Sequence, residues 1–254
     1  MIRSLILLFS LLLFGAAKLP GEHSICMSHQ QLNIRTVRFD LGLREQVGQV
    51  GFIAALSGFR SLVADLLFIQ AHVAWERTEW GRVFLLSRQV TTLQPRAILF
   101  WDMAAWHMAW NAGTAALNDS SQPRLALRIK AQRDYLKLGK DFLERGIKNN
   151  PERPQLYEAM ARLYRDKYHD HERAAEYFEK AASLPGASDY LKRFAAYELA
   201  QSAGCENEAY DRLRMLYELG ESERLPTLIR LLRELEIKLS VPIEKRIRDP
   251  DDRL

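Results

Sequence analysis

Cysteine is nearly absent from this chain: Cys26 and Cys205 are the only two among 254 residues. They allow one bridge at most, which excludes a disulfide framework. No CxxC, no HExxH and no Cys/His group at metal-ligand spacing occurs, so no metal site is expected. A phosphate-cradling loop, a dinucleotide fingerprint and a nucleophile elbow are missing as well. These absences point to a protein without catalytic residues and without a cofactor. Glycine (13) and proline (9) are sparse and gather at segment ends. A many-stranded β fold needs frequent turns, so that distribution favours helices.

What is present begins with an apolar leader. Arg3 precedes fourteen apolar or small residues, Ser4 to Ala17, followed by Lys18, Leu19, Pro20 and Gly21. Spanning a bilayer takes roughly 20 such residues. Residues 1–21 therefore read as a signal peptide, with an uncleaved N-terminal membrane anchor as the rival. Gly15 and Ala17 supply the small residues before a cut at Ala17/Lys18. Residues 22–57 read as a tether with an amphipathic stretch, Ile34, Val37, Phe39, Leu41 and Leu43 lying amid charges.

From Gly58 the apolar periodicity is helical, and one spacing recurs. Ala174, Phe178 and Ala181 precede Pro185; Gly139, Leu143 and Gly146 precede Pro151; Val83, Ser87 and Val90 precede Pro95. Ala209, Leu213 and Leu216 keep the same steps of four and three without the proline. Residues so spaced share one helix face, so small–bulky–small makes a notch that a preceding helix can enter. The partner helices expected are Leu62–Glu76, Leu99–Asn111, Pro154–Lys167 and Tyr190–Ala203, with the apolar residues of Leu62–Glu76 turned to its notch. An insertion, Ala112–Gln122, is expected to carry a cap at Asp119–Ser121 for a helix running from near Pro123 to Asn149. That helix should overhang the stack. Leu225–Leu239 reads as a capping helix with Arg230, Arg233, Glu234, Glu236 and Lys238 on its wet side, and 241–254 as a tail.

The segment PQLYEAMARLYRDKYHDHERAAEYFEKAASLPGA, Pro154 to Ala187, resembles a tetratricopeptide repeat. It departs from that pattern in the turn at Lys167–Glu172, which holds about two extra residues and lacks the customary glycine. The resemblance implies an all-α fold, a TPR-like α-solenoid of helix–turn–helix repeats over residues 58–240. Its concave side would hold a peptide or helix of a protein partner. GFRSLVADLLFIQA and LQPRAILFWDMAAWHMAWNA are similar to membrane-linked TPR-like proteins of environmental bacteria. That similarity implies export, either to the periplasm or to an inner-membrane anchor facing it. In the repeat register Phe68, His72, Trp75, Asp102, Trp106, Trp110, Tyr157, Tyr164, Arg165, Phe194 and Glu198 would line the groove. Trp101 follows the packing register instead, whereas Trp106 and Trp110 sit one turn apart beside Asp102.

Other clusters are weaker. His72 and Glu76, four apart, make a surface pair in search of a third ligand. His169, Asp170 and His171 occupy a hairpin turn, where polar residues are expected anyway. Asp65 has Arg60 within reach on the same helix. Between Ser121 and Pro154 nine basic residues stand against four acidic ones, an excess larger than the net +4 of the whole chain. Arg133, Lys137 and Lys140 form a basic strip there, either a solvated face or a dock for an acidic partner or anionic headgroups. Nucleic acid is not an expected partner of an exported protein. The functional expectation is an envelope interaction scaffold; the alternative is a permanent subunit of an oligomeric membrane assembly.

Overall fold

Alanine governs the first close contact in the chain. In a computed structural model describing residues 58–247, with Gly48 and Gln49 before them, helix α1 (Arg60–Glu76) buries Ala64, Leu67, Ala71 and Ala74. Those side chains meet α2 (Trp80–Leu93), whose notch residues Val83, Ser87 and Val90 are buried in turn. Residues 1–47, 50–57 and 248–254, and with them the expected leader and most of the expected tether, lie outside the described residues. Among the described residues every regular element is helical and no strand occurs. They fall into two units, one ending at Leu93 and the other starting at Gln94; each is taken by itself below.

In the first unit the expected inner face of α1 needs correction. Leu62, Leu66, Ile69 and Val73 are exposed, Leu62 by 55% and Ile69 by 59%. Small side chains let two helix backbones approach, so three alanines with Leu67 make the contact and these four larger residues lie on the opposite side. With Phe59 they form an apolar stripe along the outer face of α1. The hairpin turn is tight: Thr78 is left-handed at φ 56° and its N–H donates to the Trp75 carbonyl.

The second unit opens with α3 (Ile98–Trp106), which runs through a π-helical stretch, His107–Ala112, into α4 (Gly113–Leu117). The long α5 (Leu125–Asn149), 25 residues or about 37 Å, packs against α3 and α4. Its glycines make the notch. A methyl group on Gly139 would stand 2.7 Å from Ala109 Cβ, and one on Gly146 would stand 2.9 Å from Trp101 Cβ and Cγ. Into that notch fits Trp101, 1% exposed, with its indole N–H donating to the Pro95 carbonyl at 2.9 Å and the Arg145 guanidinium 5.4 Å from its ring. The same carbonyl accepts Asn150 Nδ2 at 2.8 Å, tying the start of α3 to the end of α5.

Two expectations about α5 need adjustment. The tryptophan-rich helix continues to Leu117, which shrinks the insertion, and the Asp119 side chain accepts from Ser121 N and Oγ instead of capping α5. Arg124, just before the helix, has extended backbone (φ −89°, ψ 109°), so α5 begins only at Leu125. None of residues 125–135 is fully buried, so the first turns of α5 are the exposed end.

After α5 come α6 (Pro154–Leu163), a second π-helical stretch (Tyr164–Tyr168), α7 (His171–Ala182), α8 (Tyr190–Ala200), α9 (Glu206–Glu218) and α10 (Pro226–Lys238). Each of α6 to α10 packs on the next. Proline opens α6 and α10 at positions whose N–H has no helical partner. The notches Ala174–Phe178–Ala181 and Ala209–Leu213–Leu216 are buried, and full burial of a Phe or Leu stabilises by about 1.5–3 kcal/mol. The turn before α7 explains its missing glycine. The wider π turn takes up extra residues, His169 itself adopts the left-handed conformation at φ 53°, and Asp170 caps α7 by accepting Arg173 N–H.

The wet face of α10 is also corrected. Glu236 is buried and accepts the Ile247 N–H at 2.8 Å, with Arg214 3.9 Å away. The first part of the expected tail thus folds back: Ile243–Lys245 makes a 3-10 turn and Ile247 joins the core with Leu228, Leu231, Leu232 and Leu235.

One ion pair carries a pH prediction. Glu206 at the start of α9 accepts Lys238 Nζ at 2.7 Å. That hydrogen bond, helped by backbone N–H groups at the helix start, lowers the Glu206 carboxyl to about 2. The stabilisation is complete above the ordinary value of 4.5 and is lost as pH falls from there through about 2. Thermal melts between pH 2 and 6 should therefore show part of the acid destabilisation vanish in Glu206→Gln. An unchanged profile in that variant would contradict the pairing.

Candidate functional site: an aromatic cleft between α3 and α6

Asp102 and Trp106 are four apart on α3, so carboxylate and indole share one face of the helix. The π-helical stretch that follows has wider turns than an α-helix and carries Trp110, which lines the same cleft as Trp106. Inside that stretch the buried His107 accepts from Asn111 Nδ2 at 3.2 Å. Facing α3, the helix α6 and its own π extension present Ala159, Arg162 and Asp166 at spacings of three and four. Between them lies a cleft of about 480 Å³, floored by Leu143 of α5 and walled by Met103, Ala105, Trp106 and Trp110. Trp106 is 41% exposed beside it, a large indole left half in water.

The charges around the cleft are unevenly matched. The Arg162 guanidinium lies 3.9 Å from Asp102 and also 3.9 Å from Glu158, so one cation is shared by two carboxylates. Glu158 also accepts the Tyr190 hydroxyl at 2.9 Å. Burial raises the Asp102 carboxyl above its usual range, with Arg162 opposing the shift and Glu158 adding to it. Asp166 is held closely by Arg165 at 2.7 Å. Lys167 Nζ stands 5.6 Å from the Trp110 ring centre, within the range of a cation–π contact.

Of the residues expected to share a groove, Asp102, Trp106 and Trp110 come together here. Phe68, His72 and Trp75 belong to the first unit: Phe68 and Trp75 are half-buried, and His72 is exposed, 3.8 Å from Glu76 and with its ring 5.0 Å from that of Trp75 at a tilt of 32°. The others lie elsewhere in the second unit. Tyr164 is buried against Tyr177 and Tyr168, with Lys140 and Arg173 over its ring. Tyr157 and Phe194 pack on the core of Ala161, Phe178, Ala181, Leu191 and Ala195. Arg165 lies along Asp166 and 5.9 Å from the Phe178 ring. Glu198 is 3% exposed and accepts from His171 Nδ1 at 2.8 Å. A buried carboxylate needs a partner, and one from the preceding helix holds it. His171 is thereby a link between α7 and α8, not a member of a turn cluster.

Arg162, Met103, Leu143, Ala159 and Asp166 were not anticipated. The steps from Ala159 to Arg162 to Asp166 follow helix periodicity and carry a legible signal; Leu143 gave none, because its notch position marks it as core. In the basic strip Lys137 lies 3.9 Å from Asp134 and Lys140 3.2 Å from Glu144, while Arg133 is exposed. Interleaved acids weaken the strip's field. Among the described residues no group of three or more His, Cys, Asp or Glu is gathered for a metal, and no helix is long and apolar enough to cross a membrane.

Compared with protein-family models, with curated proteins and with solved structures, the chain matches none.

Proposed function

We propose that the chain is a non-catalytic interaction scaffold of the bacterial cell envelope, a TPR-like α-solenoid that holds a peptide or helix of a protein partner. The observation that carries this is the cleft with Trp106 half-exposed at its side. Indoles contribute large contact area at low entropic cost and are enriched among the residues that dominate binding energy. The notch spacing and the repeat-like segment from Pro154 to Ala187 support the solenoid reading, and the apolar leader supports export. Changing Trp106 and Trp110 together to Ala is expected to preserve helicity by circular dichroism and to abolish recovery of the partner after crosslinking on native membranes. Undiminished recovery would remove the proposal.

A second reading, a permanent subunit of an envelope assembly, rests on the stripe of Phe59, Leu62, Leu66 and Ile69 on α1. Contiguous exposed apolar surface marks association sites. A defined large complex in gentle detergent favours this reading, and a free monomer opposes it.

A further inference from the structure

The cleft has apolar walls, one half-exposed indole and a carboxylate four residues from it on the same helix. Its volume lies within the roughly 300–1,000 Å³ of small-ligand sites. Three carboxylates, Asp102, Glu158 and Asp166, stand at or beside it, with three cations, Arg162, Arg165 and Lys167. Equal numbers do not mean equal compensation. Arg165 is spent on Asp166 at 2.7 and 3.4 Å, and Lys167 lies over Trp110. Arg162 lies between Asp102 and Glu158, at 3.9 Å from each, beyond hydrogen-bond distance. The Asp102 carboxylate, 46% exposed, is thus held only at ion-pair distance by Arg162 and stands four residues from the half-exposed Trp106 on the same helix.

We infer that the cleft takes the arginine side chain of its protein partner, the guanidinium stacking on Trp106 and bonding the Asp102 carboxylate. This rests on the scaffold reading and names what that scaffold recognises. A planar guanidinium suits the arrangement because it stacks on an indole while its edge donates to a carboxylate. An ammonium can do one of these well but not both. The chain already performs half of the chemistry internally, in the Lys167 cation over Trp110.

The test uses the full chain with three blocked peptides that differ only at the centre: Gly-Arg-Gly, Gly-Lys-Gly and Gly-citrulline-Gly. Binding is followed through the indole N–H resonances, with that of Trp106 assigned by Trp106→Phe. Citrulline keeps the shape of arginine and lacks its charge, so this comparison needs no protein variant. The arginine peptide is expected to bind with a dissociation constant in the millimolar range, the citrulline peptide at least tenfold more weakly, and the lysine peptide in between. Asp102→Asn should weaken the arginine peptide by a similar factor, with helicity unchanged. Equal binding of arginine and citrulline, or no response at Trp106 to either, would overturn the assignment. Partner recovery in the Trp106/Trp110 variant separates the two claims. If that recovery is lost while the arginine peptide fails to bind, the scaffold stands and the arginine assignment falls. If the peptide binds while recovery is unaffected, the cleft is a guanidinium site and the scaffold falls.

Discussion

Trp101→Ala is expected to lower the free energy of unfolding by about 4 kcal/mol, the scale of emptying a fully buried aromatic site. Melting should shift by roughly 10 °C, since each kcal/mol moves a chain of this size by about 2–4 °C. The reason is local. Trp101 is the wedge in the notch of α5, touching Gly146, 6.4 Å from Phe142 and bonded through its N–H to Pro95. Trp101→Phe should retain the ring and lose only the hydrogen bond and part of the area, at about 1–2 kcal/mol. A loss below about 1 kcal/mol for the alanine variant would mean that α3 is held to α5 by something else.

Gly139 and Gly113 give opposite results for the same added methyl group. Both are helical, and alanine in a helix is favoured over glycine by about 1 kcal/mol. At Gly113 the new atom would meet neighbours at 3.5–3.8 Å, an ordinary contact, so Gly113→Ala should stabilise by about 1 kcal/mol. At Gly139 it would lie 2.7 Å from Ala109 Cβ and 3.0 Å from the Ala105 carbonyl, atoms that cannot rotate away. Overpacking costs of about 1–3 kcal/mol exceed the propensity gain, so Gly139→Ala should destabilise. Gly139→Leu should cost about 3 kcal/mol or more. Thermal melts of the set decide it; equal shifts in the two alanine variants would refute the close approach of α3 and α5.

The helices and their notches were legible because they are written in short spacing. The steps of four and three can be read without knowing what the residues meet, and all four such sites are buried. On α1 the apolar residues divide: Leu67 and the alanines form the inner face while Leu62, Leu66, Ile69 and Val73 lie on the other side, since periodicity gives a face but not its direction. Asp102, Trp106 and Trp110 could be grouped because they are helix neighbours. Their counterparts on α6 could not be assigned to them, because facing helices are related only through packing. The same limit hid the bond between His171 and Glu198, 27 residues apart, and the return of Ile247 to Glu236. The π-helical stretches left no mark either, because their residue types are those of any helix.

Those two stretches have a geometric consequence. An α-helix advances about 100° per residue, so a turn holding one residue more delays every later side chain by about that angle. His107–Ala112 and Tyr164–Tyr168 are thus phase shifts written into the two elements that flank the same cleft. Deleting a single residue from either would restore the α-helical rhythm at once and re-aim everything downstream of it. At this place the chain counts residues as strictly as a coiled coil counts heptads, although nothing in its composition says so.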